Sequence, residues 1–225
     1  MTDPDPEKKT RGRGLVLERA NRSGTAVGLR AGDVLAHVNG RPLDGNLNSL
    51  KEQLSANSME PHLLGFWRGG QRWLLRSDSA SFGRWHTCDL PDGLEEEPAL
   101  PQGPMRNWEI WVTPSGRYDA QAVSPGVLAF LVPYYLLHMR LWSAFALWVA
   151  VLIISIMLGW VLGTVVQIIV WLYFWRAAPT LLRQEFMARG FRLWRVMAAR
   201  SEAALHAELS ETVPELRFAH GRQAA

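Results

Sequence analysis

Thirty-five consecutive residues, Leu141 to Trp175, carry no charge. A run this long and apolar reads as a bilayer segment. As one helix at ~1.5 Å per residue it would be about 52 Å long. The hydrocarbon core is ~30 Å thick and takes about 20 residues per span. One helix is therefore too long, and two are slightly short. Gly159 and Gly163 lie at the middle, on either side of Trp160. A helical hairpin turning near Gly159–Gly163 fits, with spans at about 141–158 and 162–176. One long tilted helix or a re-entrant pair competes with it. In the hairpin, Trp142, Trp171 and Trp175 reach one interface and Trp160 the other. Gly163 and Gln167 are the expected helix-contact residues, toward the neighbouring helix or a second copy of the chain.

Charge gives the orientation. Residues 1–124 hold 15 Lys and Arg against 16 Asp and Glu, and residues 125–225 hold 9 against 5. Arg140 precedes the apolar run, and Arg176, Arg183, Arg189, Arg192 and Arg195 follow it, while the proposed turn has no charge. Basic residues stay on the cytoplasmic side. Both termini are thus expected in the cytoplasm, at a bacterial inner membrane crossed more than once. Anionic lipid, and not nucleic acid, is the expected partner of the basic excess. Residues 126–138 are too short to span and suit an interfacial or re-entrant helix. Residues 177–210 read as an amphipathic helix, with Leu182, Phe186, Leu193, Trp194 and Met197 near one face and Gly190 interrupting. It would lie on lipid, or pack on the chain's own soluble part.

The remainder reads as soluble. Residues 1–12 are charged and suit a disordered tail, as do 211–225. Residues 91–105 hold Pro91, Pro98, Pro101, Pro104 and the run Glu95-Glu96-Glu97, a linker pattern. Residues 107–123 suggest a short hairpin. Cys88 is the sole cysteine, so no intrachain disulfide forms. Met1 to Arg13 carry no apolar core of the kind a secretory signal needs.

Val34, Ala36 and Val38 alternate with Leu35, His37 and Asn39, a strand pattern ending in the turn pair Asn39-Gly40. Gly14 to Leu17 suggests a strand before it. Residues 46–56 suggest a helix with Leu47, Leu50 and Leu54 on one face. Leu63–Trp67 and Arg72–Arg76 flank Gly69-Gly70 as a hairpin.

The run Gly28-Leu29-x-x-Gly32-Asp33-Val34-Leu35-x-x-Val38-Asn39-Gly40, in this order of elements, resembles a bacterial PDZ domain. The resemblance implies a small β-sandwich or partial barrel that binds extended peptides, commonly C-termini, at a sheet edge. Leu47, Leu50 and Leu54 would then lie beside the groove. The usual carboxylate loop and groove strand have no counterpart before Gly14. Ser81-Phe82-Gly83-Arg84-Trp85-His86-Thr87-Cys88 is similar to such a loop and strand. A permuted domain over residues 13–90 would place 84–88 beside the helix, with Phe82, Gly83 and Trp85 at the groove. From Trp108 to about Arg200 the chain resembles a family of small bacterial inner-membrane proteins of undefined function, through Met139-Arg140-Leu141-Trp142, Trp175-Arg176 and Arg189-Gly190-Phe191.

The expected fold is α+β, a PDZ-like domain followed by a transmembrane hairpin with flanking amphipathic helices. No His-Glu-x-x-His, Gly-x-Ser-x-Gly or phosphate-loop motif occurs, and the six His are scattered. No catalytic residue, metal or cofactor is expected. The expected function is a membrane-anchored binding module or scaffold that recruits a protein or C-terminal peptide. The alternative is an accessory subunit of a larger membrane complex, or a homo-oligomer, joined through the hairpin.

Overall fold

The computed structural model describes residues 12–56, 61–90, 103–124 and 130–220. The fold is mixed α+β with two sheets. The first contains β1 (Arg13–Ala20), β2 (Val34–Val38), β3 (Arg41–Pro42), β4 (His62–Arg68), β5 (Gln71–Ser77) and β6 (Gly83–Asp89), with α1 (Arg22–Ala26) and α2 (Leu47–Ala56) between strands. Its order is β5-β4-β2-β1-β6, with β3 paired to β2. All five residues of β2 are buried, so it forms the centre. Asn39 and Gly40 both have positive φ, which makes the tight turn into β3.

The second sheet begins with the hairpin β7 (Arg106–Val112) and β8 (Arg117–Ala122). Three helices follow: α3 (Val132–His138), α4 (Trp142–Met157) and α5 (Trp160–Ala188). The chain then returns as β9 (Arg192–Ala199), antiparallel to β7, and ends with α6 (Glu202–Thr212) and β10 (Arg217–Phe218), parallel to β8. The helices are thus an excursion between two strands of one sheet.

Among the described residues one helix, α5, is long and apolar enough to cross a membrane, while α4 has 16 residues. The two fold back on each other. The reversal is at Leu158 and Gly159, and Gly163 lies inside α5. Ser155 and Gly163 approach closely, since a Cβ on Gly163 would stand 2.2 Å from the Ser155 carbonyl oxygen. Gln167 Nε2 donates to Ser155 Oγ at 2.9 Å.

Several expectations are corrected. Residues 177–210 are not one amphipathic helix. Gly190, at φ 83°, ends α5: its N–H donates to the Met187 carbonyl and Phe191 N–H to the Phe186 carbonyl, a Schellman stop. Ser201 Oγ then accepts from Ala204 N–H and caps a separate α6. Residues 217–218 are a strand, not part of a tail. Of the interfacial segment 126–138, residues 132–138 are helical and 126–129 lie outside the described residues. Of the tail expected at 1–12 and the linker expected at 91–105, residues 1–11 and 91–102 also lie outside them.

The two sheets share their packing. One hydrophobic core contains Leu15, Leu35 and Phe66 from the first sheet together with Ile110, Val196 and Met197 from the second. Val196 N–H donates to the Val27 carbonyl at 3.0 Å. Asn107 bonds both the N–H and the carbonyl of Arg76, closing the β5 edge.

Arg195 lies in this seam and not at a membrane surface. It is 3% exposed, its guanidinium sits 3.5 Å and 4.6 Å from the ring centroids of Trp194 and Trp73, and Nη2 donates to Gln71 Oε1. No ion pair completes it among the described residues. Burial, helped by the nearby Arg68 charge, pushes its pKa down to about 9. That lies below the value of a solvated arginine, so the native state loses its proton first as pH rises. The cost of burying the charge is present in full at neutral pH and is relieved above about 9. Arg195→Met keeps the bulk without the charge, and its thermal midpoint at pH 7 should equal or exceed wild type. Arg195→Ala, which also loses both ring contacts, should cost about 2 kcal/mol. A Met variant as unstable as the Ala variant would mean that the charge itself stabilises the seam.

Candidate binding groove

The first sheet has two edges. Asn107 closes β5, whereas among the described residues β6 has only β1 as a strand partner. Beside β6 runs α2. Its start is set by two short side chains: Asp44 accepts from Asn46 N–H at 3.0 Å and Asn46 from Asn48 N–H at 2.9 Å. Leu50 and Leu54 are one turn apart and buried against the sheet, with Leu47 partly buried at the rim.

Between α2 and the start of β6 lies a groove of about 790 Å³. Leu47, Leu50, Leu54, Gly83 and Trp85 line it. Phe82 does not: its ring turns under the groove and meets Phe66 edge-on at 6.4 Å. Trp85 is buried, while Arg84 and His86 on either side are exposed, the alternation of an edge strand with one covered face. Thr87 Oγ1 donates to the Gly45 carbonyl at 2.6 Å and ties β6 to the segment leading into α2. Arg84 and Trp85 thus share the groove with α2, and Thr87 meets the segment before it.

The sequence reading missed the polar rim of Lys51, Ser55, Asp78, Ser79 and Arg84. Its one local signal was the alternation Ser77-x-Ser79-x-Ser81. Ser79 N–H donates to Ser77 Oγ and Ser81 N–H to Ser79 Oγ, which folds the approach to β6 upon itself.

The basic set divides. Arg140, Arg176 and Arg192 are exposed. Arg189 is exposed and pairs with Glu185 at 2.9 Å. Arg183 is committed to the buried Glu109, which also accepts from Trp111 Nε1. Arg195 is buried, as described. Gly163 and Gln167 both meet Ser155 of α4.

Cys88 packs beside Val34, Ala36 and Leu90. Burial first, and Asp89 second, push its thiol pKa up, which lowers the reactive thiolate fraction. No cluster of three or more His, Cys, Asp and Glu suited to a metal occurs among the described residues. Compared with known proteins, the chain matches no family model and no curated protein.

Proposed function

We propose that this chain is a membrane-anchored, PDZ-like binding module that holds a protein partner at the cytoplasmic face of a bacterial inner membrane. The observation that carries the reading is the groove between α2 and β6. It combines an apolar floor with a strand edge that has no second strand partner among the described residues. An extended peptide can pair with such an edge through its main chain and place alternate side chains against Leu47, Leu50 and Leu54.

The helices α4 and α5 supply the anchor in this reading. Ile156, Met157 and Trp160 at the reversal are among the most exposed large apolar side chains, an arrangement suited to hydrocarbon and costly in water. Both ends of the hairpin return to the second sheet side, where Arg140, Arg176 and Arg192 meet anionic headgroups. Membrane attachment raises local concentration, so weak peptide affinity suffices. The accessory-subunit reading has less support, because Gly163 and Gln167 are already used within the hairpin.

The test uses the whole chain. Removing residues 1–105 would uncover Val196 and Met197, so a truncated anchor would report misfolding and not loss of the groove. Full-length protein in lipid nanodiscs is panned against displayed random decapeptides. Leu47→Arg places a charge at the partly buried rim and is expected to keep the wild-type thermal midpoint. Enriched peptides should bind the variant at least about tenfold more weakly, roughly 1.4 kcal/mol. Equal binding to both proteins, or no enrichment, would refute the proposal.

A further inference from the structure

We infer that the groove accepts an internal extended segment of its partner and not a free C-terminus; this rests on the peptide-binding reading above. A terminal carboxylate is held by converging backbone N–H groups at the entry to the groove strand. Here that entry is the Ser77–Gly83 turn. Ser79 N–H is bound to Ser77 Oγ at 3.2 Å, Ser81 N–H to Ser79 Oγ at 3.0 Å, and Phe82 N–H to the Ala80 carbonyl at 2.8 Å. Gly83 is already paired with Ala20 in the ladder to β1. The Trp85 indole N–H, which also reaches this turn, donates to the Ala80 carbonyl at 3.0 Å. A carboxylate arriving here would have to break these bonds to use these four donors.

The charges point the same way. Asp78 lines the groove at this end and would repel a carboxylate. Lys51 and Arg84 also line it. Arg84 is on the open side, its side chain 77% exposed and 3.9 Å from Glu18, so it offers a carboxylate little beyond a solvated charge. What the groove keeps is a strand edge from Gly83 to His86, ended by the Thr87–Gly45 bond. That length pairs with about four residues of extended chain, roughly 13 Å. An internal segment satisfies this edge and needs no terminal anchor.

Two random decapeptide libraries test the inference on full-length protein in nanodiscs. One is displayed with a free C-terminus, the other flanked by linker on both sides. The flanked library should yield binders that Leu47→Arg weakens. Synthetic versions with free and amidated C-termini should differ by less than about threefold in Kd. Enrichment confined to the free-terminus library, or a loss of about tenfold or more on amidation, would overturn the internal-segment inference while leaving peptide binding intact. Failure of both libraries would overturn both readings.

Discussion

Gly28→Val will loosen the seam between the two sheets and remove much of the chain's stability. Gly28 has φ 78°, and its missing side chain faces β9: a Cβ there would stand 2.6 Å from the Arg195 Cα and 2.8 Å from the Trp194 carbonyl oxygen. Both are backbone atoms, so no rotamer change relieves the clash. A β-branched residue at positive φ costs about 1–3 kcal/mol, and overpacking a close contact a further ~1–3. The sum, about 4 kcal/mol, is a large part of the ~5–15 by which domains are stable. The strand must move, which also breaks the Val196–Val27 hydrogen bond. Gly32→Ala separates the terms, since Gly32 shares the positive φ, 91°, but has nothing within 4 Å of its Cβ position. Denaturant titration in detergent, followed by tryptophan fluorescence, should show a loss for Gly28→Val at least twice that for Gly32→Ala. Equal losses would mean that the close approach is not used.

The second large effect is expected in the hairpin. Gly163→Val sets a Cβ 2.2 Å from the Ser155 carbonyl oxygen and 3.1 Å from its carbon. Small residues let apolar helices approach closely, and dispersion then does most of the holding. The valine must splay α4 from α5 and break the Gln167–Ser155 bond as well. A loss of about 3 kcal/mol is expected. Ser155→Ala removes the bond but keeps the approach, and should cost only ~0.6 kcal/mol. Thr164→Val should be near neutral, since Thr164 is exposed and its hydroxyl bonds its own helix at the Trp160 carbonyl. Unfolding in mixed micelles by SDS titration ranks the three. A tolerated Gly163→Val would mean that the hairpin is held elsewhere.

Local structure was legible in the sequence wherever a short range decides it. Asn39-Gly40 and Gly69-Gly70 marked turns because positive φ is needed at those points. The alternation in Val34–Val38 marked a strand, and Leu47, Leu50 and Leu54 marked a helix face. The edge position of β6 was reached only through the resemblance, because nothing in Arg84–Cys88 reveals which strand it pairs with. β9 was lost for a related reason. Arg189, Arg192 and Arg195 recur every three residues, and Phe186, Leu193, Trp194 and Met197 approximate a helical stripe. Gly190 was noticed as an interruption, yet only pairing with Arg106–Val112, about eighty residues earlier, makes the following segment a strand. Arg195 misled in the same way. An arginine near an apolar run suggests a lipid headgroup, and its burial between Trp73 and Trp194 depends on two distant parts of the chain.

The return of the chain as β9 has a consequence for its synthesis. The N-terminal sheet leaves the ribosome first, but the face that packs on Val196 and Met197 has no cover until residues 192–199 have been made. Between the two lies the whole of α3, α4 and α5. Contacts of such sequence separation form late, so the early-made part waits, incompletely closed, while the apolar helices find their surroundings. Until β9 pairs with β7 the first half keeps an uncovered seam, so its completion reports on synthesis of the second.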